Sequence, residues 1–251
     1  MPQPSDDSNP TQIRSLSKRA EPWVLMLACL LPTLVTYAYF HLADGAPAAV
    51  QQTVYGAGKL VQFALPVVWV GLCLRHRLGF VRWTKRGLAL GVGFGGLAGG
   101  CGLGIYHAWL RHTPPIAAAT EPILAKVDGL GIRDPWVFIG VGVFYALIHS
   151  LLEEYYWRWF VFRRLRGWVN LPIAIGLSSA GFMAHHILVL DRYFHEAPWL
   201  TALLSLSVMI GGAFWAWLYE RSGSLLAPWL SHLIIDAAIF AIGYSIITGG
   251  G

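Results

Sequence analysis

The chain alternates long apolar stretches with short polar connections. Seven of these stretches approach or exceed the roughly 20 residues that a helix needs to cross a bilayer. The pattern therefore predicts an all-α fold, a polytopic membrane helix bundle with about seven transmembrane helices. The predicted spans are 23–41, 56–74, 88–110, 138–162, 171–190, 199–219 and 224–247.

The composition supports an integral membrane protein. Hydrophobic residues make up 56% of the chain and charged residues only 12%, whereas soluble domains carry about 25% charged residues. The net charge of +5 does not indicate a nucleic-acid partner, because the basic residues are scattered through short loops between spans. The three cysteines show no paired spacing, so neither a disulfide framework nor a cysteine zinc site is expected: Cys29, Cys73 and Cys101.

The basic residues predict the orientation, because cytoplasmic loops of membrane proteins are enriched in Lys and Arg. Thirteen fall on one side of the predicted spans, four on the other, and Lys59 lies inside span two. This places the N-terminus in the cytoplasm, and the expected location is a bacterial cytoplasmic membrane. The larger set is Arg14, Lys18, Arg19, Arg75, Arg77, Arg82, Lys85, Arg86, Arg158, Arg163, Arg164, Arg166 and Arg221, and the smaller is Arg111, Lys126, Arg133 and Arg192.

Three regions are expected along the chain. Residues 1–22 are interpreted as a flexible cytoplasmic tail, 23–135 as N-terminal transmembrane helices with a long loop, and 136–247 as a catalytic membrane core. The connection 111–135 is either a lid or partner contact, as loops of that length often are, or an amphipathic segment on the membrane surface. The glycines of 87–100 permit close helix packing in lipid, and no preceding strand supports a dinucleotide-binding loop.

Span four contains three charged residues, Glu153, Glu154 and Arg158. Ionisable groups at membrane depth cost roughly 2.5–3.5 kcal/mol each on insertion scales, so they usually face a protein interior and mark function. A structural ion pair, or a helix end at the interface, is the alternative. If span four ended at Arg158, Glu153 would lie too near the surface to meet groups deep in span five. We therefore predict a helix that continues past a buried Arg158.

Two further spans carry polar groups four residues apart, a spacing that places them on one helix face. By the same spacing Glu154 faces Arg158, while Glu153 lies about 100° around the helix and is free to face a cavity, with His149 one turn behind it. Glu153 would then take a proton from water. An oxyanion forms when that water attacks a carbonyl, and a hydrogen bond from a histidine would stabilise it by about 2.7–4 kcal/mol. The two pairs are Phe182 with His186, and His232 with Asp236.

These motifs resemble those of the CAAX protease and bacteriocin-processing (Abi) family of glutamic intramembrane endopeptidases, which includes the Ras-converting CAAX endopeptidase. The matching motifs are EExxxR (Glu153, Glu154, Arg158), FxxxH (Phe182, His186) and HxxxN/D (His232, Asp236), within about residues 136–240.

The resemblance implies that Glu153 is the general base and His186 its assistant, with His232 and Asp236 at the oxyanion and Glu154 and Arg158 as support. Family proteases often have Asn where this chain has Asp236. An ionised carboxylate cannot donate to an oxyanion, so Asp236 must be protonated or must orient His232. His185 also stands beside His186, although the FxxxH spacing selects the latter.

The leading hypothesis is an endopeptidase without a cofactor that cleaves a peptide or protein substrate in or at the lipid bilayer. One alternative is a zinc-dependent membrane protease, since two histidines and a glutamate can bind zinc, although no HExxH helix is present. A non-catalytic scaffold or immunity protein is another. A transporter is least favoured, because paired half-helix repeats are absent.

Overall fold

The predicted fold class is confirmed. The computed structural model describes residues 10–74 and 84–249, with side chains from Lys18 onward. Within this part of the chain all regular structure is helical, and seven helices are long and apolar enough to cross a membrane. These spans, numbered one to seven, are Lys18–Leu42, Ala48–Cys73, Lys85–His112, Pro135–Leu165, Leu171–Phe194, Pro198–Ser222 and Leu226–Ile247.

Most helices begin and end close to the predicted boundaries, but the first two begin earlier, and span two begins at Ala48 instead of residue 56. The first helix begins at Pro10, so it includes residues that we interpreted as flexible tail. Arg75, Arg77 and Arg82, used above for the orientation, lie outside the described residues. The α-helices are Pro10–Tyr37, Ala48–Pro66, Lys85–Ala108, Pro114–Gly129, Pro135–Phe144, Ser150–Glu154, Arg163–Leu165, Leu171–Phe194, Pro198–Ser222 and Leu226–Ile247; π-helical turns cover Ala38–Leu42, Val67–Cys73, Tyr145–His149 and Tyr155–Phe162, and a 3-10 turn covers Leu110–His112.

The long connection between spans three and four contains a helix, Pro114–Gly129, that packs onto the bundle. Proline suits its first turn, where a backbone N–H has no helical partner. Lys126 donates a 3.1 Å hydrogen bond to the Gln51 side chain and lies 4.4 Å from the centre of the Tyr39 ring. The connection is thus a helix anchored to spans one and two, not a structureless loop.

Span four is one long helix that passes through the middle of the bundle. It runs from Pro135 to Leu165, and the π-helical turns lie on either side of Ser150–Glu154. Such wide turns occur often at functional sites. Arg158 is only 2% exposed, so the predicted continuous helix and buried arginine are both confirmed. Arg158 is therefore an interior residue and does not contribute to the loop charges that set orientation.

Span three packs closely against span seven through glycines spaced four residues apart. A Cβ atom at Gly91 would lie 2.3 Å from the Ala227 carbonyl oxygen, and one at Gly95 would lie 2.7 Å from the Ser231 carbonyl oxygen. The two backbones can approach this closely because glycine has no side chain. This contact fixes the position of span seven, which carries two of the predicted site residues. The buried glycines are Gly87, Gly91, Gly95 and Gly99.

We expect Gly91→Ala to destabilise the protein by about 1–3 kcal/mol, because the added methyl group meets backbone rather than a flexible side chain. Gly93→Ala is the matched control, since a Cβ there meets nothing within 4 Å and alanine favours the helix. Thermal unfolding in detergent should give a lower Tm for Gly91→Ala alone. Equal Tm values for the two variants would contradict the close approach of spans three and seven.

Candidate active site

Glu154 and Arg158 form a buried ion pair in span four. Arg158 Nη1 lies 3.1 Å from Glu154 Oε1, and the two side chains are 2% and 0% exposed. Arg158 Nη2 also donates to the Gly212 carbonyl oxygen of span six at 3.2 Å. The guanidinium carbon lies 4.8 Å from the centre of the Phe182 ring. The predicted pairing four residues apart is thus present, and span five supplies a wall of the same pocket.

Glu154 also binds span seven. His232 Nδ1 lies 2.8 Å from Glu154 Oε1. An ionised carboxylate only accepts hydrogen bonds, so beside ionised Glu154 the proton of this bond belongs to Nδ1. The Nε2 atom of His232 then points away from Glu154, 3.8 Å from Glu153 Oε2 and 3.5 Å from Asp236 Oδ1. Consequently, His232 can donate to an oxyanion from Nε2 only when both ring nitrogens carry protons.

Glu153 lies between histidines of three spans. Its side chain is 4% exposed, and Oε1 lies 3.9 Å from His149 Nε2 and 3.6 Å from His185 Nε2. With His232 on the other oxygen at 3.8 Å, each ring nitrogen stands beyond ordinary hydrogen-bond distance. None of these three rings therefore occupies the carboxylate with a direct hydrogen bond, in contrast to the two close partners of Glu154.

The two adjacent histidines of span five differ in position. His185 is the one whose ring nitrogen lies within 4 Å of Glu153. His186 Nδ1 lies 2.8 Å from the Phe182 carbonyl oxygen, and since a carbonyl only accepts, Nδ1 carries the proton. This hydrogen bond leaves the His186 Nε2 lone pair free. The two rings lie 4.1 Å apart, centre to centre, so the motif residue His186 packs against His185, whose ring faces Glu153.

Asp236 and Trp215 complete the surroundings of His232. Asp236 lies one turn after His232, and its Oδ1 is 3.5 Å from His232 Nε2, so the predicted pair of span seven lies together. The Asp236 side chain is 18% exposed. Trp215 of span six stacks on the His232 ring at 4.2 Å, and its indole N–H donates to Ser231 at 3.0 Å. Sequence reasoning missed Trp215, because no charge or motif in span six distinguishes it from the other tryptophans.

A metal site has little geometric support. Within residues 10–74 and 84–249, no group of three or more His, Cys, Asp or Glu side chains is arranged to hold a metal ion. The zinc alternative therefore has no ligand set here on which a mechanism can be built.

One region of the chain is similar to a known family. Residues 135–238 match the family model described as type II CAAX prenyl endopeptidase Rce1-like, and this range contains all three motifs described above. The searches of curated proteins and of solved structures gave no match. The chain is thus an integral, multi-pass membrane protein whose second half contains a region, residues 135–238, similar to the Rce1-like CAAX proteases.

Proposed function

We propose that the protein is an intramembrane endopeptidase in which Glu153 activates the attacking water. The observation that carries the proposal is the different environment of the two neighbouring glutamates. Glu154 is occupied by Arg158 and His232 at 3.1 and 2.8 Å, whereas the nearest histidine nitrogens stand 3.6–3.9 Å from Glu153. A general base needs a lone pair free to accept a proton from water, and Glu153 meets that requirement.

The proposed reaction proceeds through a tetrahedral intermediate. Glu153 accepts a proton from water while the water oxygen attacks the scissile carbonyl carbon. The oxyanion that forms accepts a hydrogen bond from His232 Nε2, and Glu154 holds the opposite side of this ring. The C–N bond then breaks as the proton from Glu153 passes to the leaving amine. Arg158 balances the charge of Glu154, and Asp236 orients His232 or, when protonated, donates to the oxyanion itself.

His186 is the proposed assistant of Glu153, because the Phe182 carbonyl fixes its proton on Nδ1 and leaves Nε2 able to share the attacking water. We expect His186→Ala to lower kcat by about 100-fold and His185→Ala by about 10-fold or less. Single-turnover assays of the two variants, matched for Tm, measure the difference. A larger loss for His185→Ala would assign the assisting role to His185, which lies closer to Glu153.

The substrate is proposed to be a peptide or protein segment in or at the membrane, such as a C-terminal tail. Glu153 lies about 18 Å along the helix from Leu165, at 1.5 Å per residue. Arg163, Arg164 and Arg166 lie around that end and favour the cytoplasmic side for it. The scissile bond would therefore have to enter the bilayer to reach the site.

Substrate trapping tests the function in the native membrane. Glu153→Ala protein is expected to retain an uncleaved partner that mass spectrometry identifies, and wild-type membranes should contain its fragments. Cleavage by purified wild-type protein should persist after exhaustive chelation. Undiminished cleavage by Glu153→Ala would refute the assignment, and loss on chelation with recovery in zinc would favour the metalloprotease alternative. If Glu153→Gln preserves function in the cell, the scaffold alternative gains support.

A further inference from the structure

Span two presents a polar face to the bundle interior, although it lies outside residues 135–238. Four polar side chains recur along this face at intervals of three or four residues, the spacing of one helix face. They are buried or half-buried, whereas residues 52, 53, 56, 57, 60 and 61 are exposed. Polar groups at membrane depth usually face the protein interior and mark function. The residues are Gln51, Tyr55, Lys59 and Gln62.

Span two is linked to the surroundings of Glu153 through His149. The Phe63 ring of span two lies 6.2 Å from the His149 ring, centre to centre. Tyr55 interacts with Tyr145, and the Tyr145 ring lies 4.8 Å from that of His149. His149 in turn faces Glu153. Span two therefore forms one wall of the space around Glu153.

Lys59 is the cation of this wall. Its Nζ atom lies 5.6 Å from the centres of both the Tyr55 and Phe63 rings, within the range of cation–π attraction. No carboxylate of the described residues lies within 4 Å of it, yet its charge interacts electrostatically with that of Glu153. The aromatic rings thus hold the ammonium near the Glu153 carboxylate without a direct ion pair that would occupy its oxygens.

Glu153 lies near other acidic groups, so its negative charge needs a nearby cation. Glu154 and Asp236 are acidic groups near Glu153, and each raises the cost of a second negative charge. Arg158 is hydrogen-bonded and paired elsewhere, to Gly212 and Glu154. His149, His185 and His232 also face Glu153 and are cations only when protonated. Lys59 is the cation that span two supplies, and it can offset the charge of Glu153 while leaving its lone pairs free for water.

We propose that Lys59 is a positioning residue of the active site, which keeps Glu153 in its carboxylate form from the wall formed by span two. The inference rests on the proposed function, in which Glu153 is the base. It assigns a part in the reaction to the N-terminal half of the chain, outside the matched family domain. Lys59 acts through Glu153 and does not contact the reacting atoms.

Lys59→Met tests the proposal, and Lys59→Arg is the conservative variant. We expect Lys59→Met to lower kcat on the order of 10-fold with KM little changed, and Lys59→Arg to restore most of the loss. The control is Lys85→Met, which removes an exposed lysine at the start of span three and should leave kcat unchanged. An unchanged kcat in Lys59→Met would overturn the proposal. So would a loss confined to KM, which would assign Lys59 to substrate binding.

Infrared difference spectroscopy provides a readout that does not depend on turnover. Lys59→Met should gain a protonated carboxyl band that is absent from Lys59→Met/Glu153→Gln, and absence of this band would overturn the proposal. If Lys59→Met does not assemble, Lys59→Gln is used for the same comparison. Should wild-type protein cleave no peptide, the proposed function fails, while the infrared band still decides whether Lys59 holds Glu153 ionised.

Discussion

Glu153→Gln is expected to lower kcat by about 10²- to 10⁴-fold, the contribution typical of a general base. The amide keeps the size of the side chain but cannot take a proton from water. None of the three histidines that surround Glu153 lies at direct hydrogen-bond distance from it. The substitution therefore breaks no close ion pair. We therefore expect a Tm equal to or above that of the wild type, measured on the same detergent-solubilised preparations used for kinetics.

The control for this variant is Glu196→Gln, which changes an exposed glutamate between spans five and six. It should retain wild-type kcat and Tm. A Glu153→Gln protein that cleaves at the wild-type rate would show that another group activates water. An inactive variant whose Tm is also lower than that of the wild type would indicate a structural role for Glu153, contrary to the unpaired position of this carboxylate.

Arg158→Met is expected to destabilise the protein by about 3–5 kcal/mol, because it leaves the Glu154 charge buried without its cation. Arg158 and Glu154 are 2% and 0% exposed, so solvent cannot replace the lost partner. Removing both charges in Arg158→Met/Glu154→Gln should recover most of the stability, since an uncharged pair of similar volume is often neutral. Reversible unfolding in mixed micelles measures the free energy of unfolding of the wild type, of Arg158→Met and of the double variant.

The recovery by the double variant distinguishes an ion pair from simple packing. If Arg158 matters only as a large side chain against Phe182 and Trp215, the double variant should be no more stable than Arg158→Met. Activity gives a second distinction. The double variant should remain weakly active or inactive, because the amide introduced by Glu154→Gln no longer offers His232 a carboxylate partner for the bond now 2.8 Å long.

Local spacing was enough to predict the parts of this protein that depend on one helix. The seven spans follow from apolar length, and the Glu154–Arg158 pair follows from residues four apart. The buried position of Arg158 follows from the need to bring Glu153 to the depth of span five. The first two rest on spacing within a single helix, which the sequence order determines, and the third adds only the depth of a second span.

Spacing along the sequence does not predict which residues meet between helices. The bond from Glu154 to His232 joins residues 78 positions apart, and it depends on the rotation of span seven against span four. The rotation of span five about its axis likewise determines which histidine faces Glu153, and it is His185 rather than the motif residue His186. The sequence does not decide between a lid and a surface segment for the connection 111–135, because the position of its helix depends on anchors in other spans, such as Gln51 and Tyr39.

The most direct test of the central claim is cleavage by purified, chelator-treated protein in lipid nanodiscs containing H₂¹⁸O, followed by mass spectrometry of both fragments. We expect wild-type protein to release two fragments, with ¹⁸O in the newly formed carboxyl group, and Glu153→Gln at equal concentration to release neither above background. Equal cleavage by the two proteins, or cleavage by wild type only when zinc is restored, would contradict a Glu153-activated water as the nucleophile.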